Sequence, residues 1–378
     1  MTPPAPQPGG RRRVLVCEPY CSGSHRAWAE GLARHSRHDV RLVTHRGAFW
    51  RWRMQGAALT LAAEVDRVVA GWGRPDVLLV SDMVHVPALL GLARRSLAGM
   101  PVVVYMHENQ LTYPVPPRTA PDLTYAMVNW LSMAAADRVV FNSEHHRREL
   151  LAALPGFLRR FPDHRHTAEV DRVAAATTVL PVGVDVDRFD RPRTEHRPPV
   201  VLWNHRWEYD KDPEAFFAAL DRVVARGVEL AVAIAGHAPP TVPEAFARAR
   251  DRLGHRVVHF GTAAEDGYPA LLAGADVVVS TARHEFFGLA VAEAVSAGAL
   301  PLLPDRLAYP ELVPSPSPYL YRDLDELVER LCWALTDHDG RRRAAAAARD
   351  HVRRLAWPEV APRYDALLDE VAAAGASR

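Results

Sequence analysis

The sequence predicts an α/β protein with two domains, each built on a doubly wound parallel sheet. Its 378 residues exceed what one ordinary hydrophobic core holds and suit two domains of common size. Short apolar runs alternate with helical stretches in both halves, a pattern typical of parallel strands joined by helical crossovers. A segment rich in Pro and charge at 181–199 separates the two series. Two successive sheets of this kind predict two lobes with a cleft between them.

The first domain is predicted to span residues 14–190. It follows a Pro-rich segment at 1–13 that ends in three arginines and is expected to be a disordered basic tail. The predicted strands are Val14–Glu18, Val40–Thr44, Val77–Val80, Val102–Met106 and Arg138–Asn142. The predicted loops are Pro19–His25, which leads into a helix through about Leu32, and the Pro-, Arg- and His-rich segment Pro155–His166. The other predicted helices are Ala57–Val69 and Leu123–Ala135.

The alternation restarts in a second domain, predicted at residues 198–355. Its predicted strands are Val200–Asn204, Ala231–Gly236, Val257–Gly261, Asp276–Ser280 and Leu300–Leu303. Its predicted helices include Glu214–Ala225, Pro243–Leu253 and Leu289–Ser296. Residues 356–378 are predicted to form an amphipathic helix, through about Val371, and a short tail.

The composition is typical of a globular protein, with 48% apolar and 24% charged residues. No apolar run approaches the roughly 18 residues of a membrane span, and we do not expect residues 1–13 to act as a secretion signal. Three cysteines are too few for a disulfide framework, so we expect a cytoplasmic protein and no membrane partner. Residues 1–170 carry a net charge of +7 and the remainder −6, which hints that the first half meets a polyanion.

Lys211 is the one lysine among 46 basic residues. It follows the predicted strand Val200–Asn204 and precedes a helix, where anionic ligands bind in α/β folds. Lysine offers a compact point charge whereas arginine offers a planar fork, so a phosphate site that needs the small head would resist replacement by arginine. The alternative is a lysine that survived by chance on a solvated helix start.

A second group of residues, at 280–294, follows the predicted strand Asp276–Ser280 and opens a helix near Gly288. Amides in the first turn of that helix, from Gly288 and Leu289, lack helical partners and would point at a diphosphate. Glu293 lies where a ribose joined to that diphosphate would sit, and Glu285 would face a sugar at the other end. The alternative is a surface carboxylate and a carboxylate on a helix face.

These residues, together with motifs in the first half, resemble retaining glycosyltransferases of the GT-B fold, and more closely the tRNA-queuosine α-mannosyltransferase family. The likeness covers nearly the whole chain. It rests on Glu-x7-Glu at 285–293 with Phe-Phe-Gly-Leu inside, Pro-Val-Gly-Val-Asp at 181–185, Glu-Pro-Tyr-Cys-Ser-Gly-Ser-His at 18–25, Phe-Trp-Arg-Trp-Arg at 49–53, Met-His-Glu-Asn-Gln-Leu-Thr-Tyr-Pro at 106–114, Phe-Asn-Ser-Glu at 141–144 and the run 203–211. The resemblance implies two Rossmann-like domains facing a central cleft, with the carboxy-terminal helix returning to the first.

The resemblance also implies the reaction and its partners. The family transfers mannose from GDP-mannose, with retention of configuration, to the cyclopentene hydroxyl of queuosine in the anticodon of aspartate tRNA. No carboxylate nucleophile is evident in the chain, so the resemblance implies front-face substitution, in which the departing phosphate oxygen helps to take the acceptor's proton. The implied partners are the tRNA anticodon loop and a nucleotide-sugar donor; no oligomeric state is predicted.

Site residues are carried over by position. The predicted catalytic residues are His107, Glu285, Arg206 and Lys211. The predicted donor-binding residues are Gly23, Arg206, Lys211, Glu285, Phe287, Gly288, Leu289 and Glu293. The predicted acceptor-binding residues are Ser24, His25, Trp50, Arg51, Arg53, Glu108, Asn109, Gln110 and Asn142. Arg206 and Lys211 are five apart, one fewer than in many relatives of the broad class, which puts the Arg–phosphate geometry in doubt.

Several alternatives stay open at this point. His107 could be a core histidine with satisfied hydrogen bonds, and the segment at 49–53 could pack its tryptophans inward. Asp185 and Asp187 resemble the metal-binding Asp-x-Asp of another transferase fold but lie in a turn, so we expect no metal and no cofactor. The enzyme could use another sugar nucleotide with a lipid or small-molecule acceptor. The chain could also be a non-catalytic tRNA-binding module with a degenerate sugar-nucleotide site.

Overall fold

Each half of the chain forms a six-stranded parallel sheet. The computed structural model describes residues 10–115, 122–193, 196–237, 241–316 and 318–376. They divide into two units: the first comprises 10–113, 122–183 and 357–376, and the second comprises the other described residues. Residues 1–9 of the expected tail and 194–195 of the Pro-rich segment lie outside the described part of the chain.

The sheet of the first unit has the strand order β2-β1-β3-β4-β5-β6. Its strands are β1 Arg13–Cys21, β2 Asp39–Arg46, β3 Val77–Ser81, β4 Val102–Met106, β5 Arg138–Phe141 and β6 Thr177–Val179. Its helices are α1 Gly23–His35, α2 Trp50–Trp72, α3 Val86–Leu92, α4 Arg94–Leu97, α5 Thr124–Ala134, α6 Glu144–Leu158 and α7 Thr167–Ala175. Every pairing is parallel, and β3 and β4 are buried throughout because helices cover both faces.

Four predicted boundaries in this unit were wrong. The loop expected at Pro19–His25 is almost absent, because β1 runs to Cys21 and α1 starts at Gly23. Helix α2 starts at Trp50 rather than Ala57, which places the aromatic and basic segment in its first turn. Part of the loop expected at Pro155–His166 is helical, since α6 continues to Leu158 with Pro155 inside it. Arg13, which the expected tail included, belongs to β1.

The second sheet has the strand order β12-β11-β10-β7-β8-β9 and is also parallel throughout. Its strands are β7 Val200–Asn204, β8 Ala231–Ala235, β9 Val257–Gly261, β10 Val277–Val279, β11 Leu300–Pro304 and β12 Leu320–Tyr321. Its helices are α8 Val186–Phe189, α9 Pro213–Ala225, α10 Glu244–Leu253, α11 Tyr268–Ala273, α12 Leu289–Ser296, α13 Leu324–Thr336 and α14 His338–Val352.

The last helix, α15 Trp357–Ala376, packs in the first unit, as predicted for the carboxy-terminal helix. Asp365 accepts hydrogen bonds from the Ser36 hydroxyl and from the amide of Arg37 at 3.0 Å, just after α1. The ring of Trp357 stacks on His35 with ring centroids 5.9 Å apart. Among the described residues, none of the helices is both long and apolar enough to cross a membrane.

Candidate active site

Lys211 is buried at the carboxyl end of the second sheet. It ends a one-turn 3-10 helix, Tyr209–Lys211, between β7 and α9, and only 6% of the residue is exposed. Its Nζ donates a hydrogen bond to the carbonyl of His284 at 2.7 Å. The same Nζ lies 3.2 Å from Asp210 Oδ2 and 3.4 Å from Glu285 Oε2. This burial excludes the alternative of a chance lysine on a solvated helix start.

The ammonium and its two carboxylates form a charged cluster. Burial opposes the charge on Lys211, but Glu285 and Asp210 outweigh it and raise the pKa of the lysine. Burial likewise opposes ionisation of Glu285, yet Lys211 and the amide of Phe287 lower its pKa to about 2. Lys211 and Glu285 are therefore both ionised at neutral pH and form an ion pair.

Glu285 binds amides at the start of α12 that were predicted to bind a diphosphate. Its Oε1 accepts hydrogen bonds from the amides of Phe287 at 3.3 Å and Gly288 at 3.1 Å, at the start of α12. We expected the Gly288 amide to point at a diphosphate, and in this structure it is bound by the Glu285 carboxylate instead. Gly288 itself must be glycine, because its φ is +92° and an added Cβ would lie 2.9 Å from Leu312 Cδ1.

Arg206 is the exposed cation of this unit's site. It follows β7, and its Nη2 lies 3.4 Å from Glu208 Oε2. The charge of Arg206 disfavours the charged form of Lys211, which places the two side chains in one electrostatic neighbourhood. An exposed guanidinium beside a buried ammonium can bind a phosphate from the solvent side.

Glu293 belongs to a hydrogen-bonded chain of three side chains. Tyr268 donates to Glu293 Oε2 at 2.7 Å, and the Asn204 amide donates to the Tyr268 hydroxyl at 2.8 Å. Burial raises the pKa of Glu293 to about 7 despite the hydrogen bond from Tyr268. The sequence analysis missed Tyr268 and Asn204; the position of Asn204 at the end of β7 was the available signal for it.

His205 and Asp210 also flank Lys211 and were not predicted. His205 is buried, and burial with the nearby charge of Lys211 lowers its pKa to about 3, so its imidazole is neutral. Its Nε2 has no hydrogen-bond partner within the described residues. A buried, neutral imidazole nitrogen of this kind is available to a ligand hydroxyl or phosphate oxygen.

The first unit has its own cluster of buried polar groups. Glu18 ends the regular part of β1, Asp82 follows β3 and His107 follows β4, and these three strands are neighbours in the sheet. His25, in the first turn of α1, is hydrogen-bonded through Nδ1 to Glu18 Oε2 at 2.8 Å. Burial lowers the pKa of His25, but the Glu18 carboxylate outweighs it and raises the pKa to about 9.

His107 lies directly against this ion pair. Its ring contacts that of His25 with centroids 4.0 Å apart and the ring planes tilted by 31°, and its amide donates to Asp82 Oδ1 at 2.8 Å. Neither ring nitrogen of His107 has a hydrogen-bond partner in the part of the chain that the structure describes. Burial and the charge of His25 hold its pKa well below the usual value. His107 is thus buried, as the core-histidine alternative expects, but its ring lacks the hydrogen bonds to other described residues that a satisfied core histidine would make.

Asp82 completes the cluster. Burial raises its pKa to about 8, against the lowering effect of His25. Glu18, His25 and His107 offer ligand atoms that lie within 4.8 Å of one another, the one such group found among the described residues. Two imidazoles and a carboxylate are a donor set that suits zinc. The expectation that the protein uses no metal therefore stays a prediction that metal analysis can test.

Asn109 and Asn142 make hydrogen bonds beside this cluster. Asn109 is fully buried, and its Oδ1 accepts from the amide of Thr112 at 2.8 Å. The Asn142 amide donates to the carbonyl of His107 at 2.8 Å. Their side chains thus make hydrogen bonds inside the unit, and contact of either residue with an acceptor stays a prediction. Glu108 and Gln110 are half-buried and bonded to each other at 2.9 Å.

The remaining predicted site residues of the first unit lie at the starts of α1 and α2, with Gly23 predicted for the donor and the others for the acceptor. Gly23 has a φ of +50° and open space where a Cβ would be, and Ser24 beside it is half-buried. Trp50 packs against Tyr125, with centroids 5.1 Å apart. Arg53 is half-buried and Arg51 is exposed.

Comparisons with known proteins agree with this division. The family model described as tRNA-queuosine alpha-mannosyltransferase N-terminal matches residues 13–184, and that described as Glycosyl transferases group 1 matches 186–351. The tRNA-queuosine alpha-mannosyltransferase of Drosophila melanogaster is 32% identical over 84% of this chain and 85% of its own length. The GDP-mannose-dependent alpha-(1-6)-phosphatidylinositol dimannoside mannosyltransferase of Mycobacterium tuberculosis is 26% identical over 82% of this chain and 80% of its own.

A solved structure supports the fold. Sucrose-phosphate synthase from Thermosynechococcus elongatus matches with a TM-score of 0.70 at 18% identity, covering 96% of this chain and 100% of that one. Together with the two six-stranded parallel sheets, this likeness confirms the predicted GT-B class with two Rossmann-like domains.

Proposed function

Because the chain belongs to the tRNA-queuosine α-mannosyltransferase family, we propose that it transfers mannose from GDP-mannose to the cyclopentene hydroxyl of queuosine in the anticodon of aspartate tRNA, with retention of configuration. The observation that carries the proposal is the 32% identity to the Drosophila enzyme over 84% of the chain. The family's amino-terminal model matches the unit that holds the His25–His107 cluster. The chain is a glycosyltransferase, so the non-catalytic alternative is set aside.

The donor is proposed to bind in the second unit. Lys211, Arg206 and the amides that open α12 would hold the diphosphate, and Glu293 would accept hydrogen bonds from the ribose. A diphosphate at this place would compete with Glu285 for Lys211 and for the Gly288 amide, because the carboxylate holds both in the structure described here. Displacement of Glu285 would free its oxygens for hydroxyls of the transferred sugar. GDP-mannose is proposed because the mycobacterial relative's name specifies that donor.

The proposed chemistry is a front-face substitution. The bond from the anomeric carbon to the diphosphate oxygen breaks, the acceptor oxygen bonds to the same face, and its proton passes to the departing phosphate. Cations and amides aimed at the diphosphate stabilise the charge that develops on it. The neutral ring of His107 has an acceptor nitrogen with no partner among the described residues, which suits a hydrogen bond from a substrate hydroxyl.

The test is a panel reaction. Purified protein is incubated with GDP-mannose, GDP-glucose, UDP-glucose or UDP-galactose, and with tRNA that contains or lacks queuosine. Nucleoside mass spectrometry should show a hexose added to queuosine only with GDP-mannose, and α-mannosidase should remove it. Hexose on queuosine from a UDP-sugar alone would overturn the donor assignment.

A lipid acceptor is the second candidate, since the mycobacterial relative is named for a phosphatidylinositol dimannoside acceptor. It is tested in the same panel by adding extracted phospholipids in place of tRNA. Mannose found in the lipid fraction, with none on queuosine, would replace the proposed acceptor.

A further inference from the structure

The start of α2 presents two large aromatic rings to solvent. Phe49, the residue before the helix, is 69% exposed and Trp52 is 63% exposed. On the opposite face Met54 is fully buried and Trp50 packs beside it. Helical periodicity explains the division, because residues two positions apart point to different sides of a helix. The rings that reach solvent are therefore Phe49 and Trp52, rather than the Trp50 that the sequence analysis selected.

Phe49 has an unusual backbone conformation. Its φ of 57° and ψ of 50° place it in the left-handed region, where a bulky residue is rarely found. An exposed phenylalanine held in such a conformation gains no burial that would offset the strain. Outliers of this kind are concentrated at binding sites, so the conformation is a second and independent sign that this ring has a ligand.

The rings are accompanied by cations. The guanidinium carbon of Arg46 lies 5.9 Å from the centroid of the Phe49 ring, and that of Arg51 lies 5.1 Å from the Trp50 ring. The first turn of α2 contains no acidic residue, and Phe49 at its N-cap makes no side-chain hydrogen bond to its amides. The helix dipole adds positive potential at this end. The surface therefore combines flat apolar faces with positive charge.

This surface adjoins the histidine cluster of the same unit. Gly47 lies against Ser22, at the start of α1: a Cβ on Gly47 would come 2.0 Å from the Ser22 hydroxyl oxygen. Behind the helix, Trp50 and Tyr20 pack on one small apolar cluster. The ring of Tyr20 in turn contacts that of His25, with centroids 5.7 Å apart. The start of α2 is thus connected through packed side chains to the Glu18–His25–His107 cluster.

From these observations we propose that Phe49 and Trp52, with Arg46 and Arg51, form a platform that stacks an unpaired base of the acceptor tRNA's anticodon loop and binds its adjacent phosphate. The proposal rests on the proposed function, and it names the residues that would contact the tRNA acceptor. Unpaired bases offer aromatic faces joined by phosphates, the complement of this surface, and such loops are usually recognised by stacking.

A lipid surface fits the same residues less well. A helix that lies on a membrane carries an apolar face along its length, with basic residues beside it. The apolar face of α2 is instead buried in the core, through Ala57, Leu61 and Val65. Further along, its outer side carries Glu64 and Asp66, which an anionic bilayer would repel.

The test uses the full-length protein and a synthetic anticodon stem-loop RNA that contains queuosine. Phe49→Gly and Trp52→Ala should each weaken RNA binding about 5-fold to 150-fold, the loss of one base–aromatic stack. They should raise the KM for tRNA more than they lower kcat. Trp52→Phe, which keeps a stacking face, should restore most of the affinity. Leu59→Ala is the matched control, because Leu59 is 66% exposed on the same helix.

Phe49→Gly separates binding from folding. Glycine adopts a positive φ without strain, so the melting temperature of the Phe49→Gly variant should equal or exceed that of the wild type while its RNA affinity falls. Unchanged KM for tRNA in the Phe49→Gly, Trp52→Ala double variant, with an active wild type, would overturn the platform alone. A wild type that mannosylates no tRNA would overturn the proposed function and the platform together. Loss of cosedimentation with phosphatidylcholine–phosphatidylglycerol vesicles, with RNA affinity retained, would identify a membrane contact instead.

Discussion

Replacing Lys211 by arginine is the sharpest test of the donor site. At every other basic position this chain uses arginine, so the variant extends its own preference to the one exception. Lys211→Arg keeps the positive charge between Asp210 and Glu285 but substitutes a planar, larger head in a buried space. Lys211→Ala is less informative, since it leaves the buried Asp210 and the half-buried Glu285 without their cation, a loss of about 3–5 kcal/mol in stability.

The expected effects of Lys211→Arg differ in size. Forcing the larger head into the pocket that now places Nζ 2.7 Å from the His284 carbonyl should lower stability by about 1–3 kcal/mol. Misplacing one cation that stabilises the leaving diphosphate should lower kcat by about 10²-fold to 10³-fold. The assays are thermal unfolding and steady-state transfer or donor hydrolysis. Activity within about twofold of wild type would refute the argument for a compact ammonium. Activity that falls only as far as the folded fraction would show a structural lysine.

Three further predictions address the remaining groups. Glu293→Gln should weaken GDP binding about tenfold by calorimetry. Burial raises the folded-state pKa of Glu293 from 4.5 to about 7, so the wild type loses stability as pH rises through that window. The Glu293→Gln variant should therefore gain stability relative to wild type from pH 4.5 to 7. A difference in unfolding free energy that stays constant over this range would contradict the argument. Glu18→Gln should lower the free energy of unfolding by about 3–5 kcal/mol below pH 6.5, and by less as pH rises through about 9, where His25 loses its proton. Denaturant unfolding at pH 6 and 9.5 measures this loss, and an equal loss at both pH values would count against the ion pair. Metal analysis of the purified protein should find substoichiometric zinc, and dialysis against a chelator should leave turnover unchanged; stoichiometric metal at Glu18, His25 and His107 would reverse the prediction.

The strands that the sequence predicted best are those buried on both faces. The predicted ends of β4 and β7 match the structure, because a central parallel strand reads as a continuous apolar run. The predicted ends of β9 match as well, although β9 is an edge strand and is only partly buried. The strands β6 and β12 were missed. They have three and two residues, all of them half-buried except Tyr321, and a strand of that length offers no periodic signal.

The segment at 49–53 shows a different limit of prediction from the sequence. Its alternation of aromatic and basic residues predicted a surface that contacts nucleic acid, and the alternative was that the tryptophans pack inward. Each interpretation describes one tryptophan, since Trp50 packs on Tyr125 and Trp52 is exposed. The choice depended on where the helix starts, and that boundary was predicted seven residues too late.

By itself the sequence determined the two-domain α/β fold, the family and the places where polar residues leave the ends of strands, because these follow from local apolar periodicity and short motifs. The partners of those residues came only from the tertiary structure. Lys211 meets Glu285 because β7 and β10 are neighbours in the sheet, which brings together loops more than 70 residues apart in the chain. In the same way the adjacency of β1, β3 and β4 assembles Glu18, Asp82 and His107. Strand order is a property of the whole sheet, and the charge and proton state of each group follow from neighbours that only this order supplies.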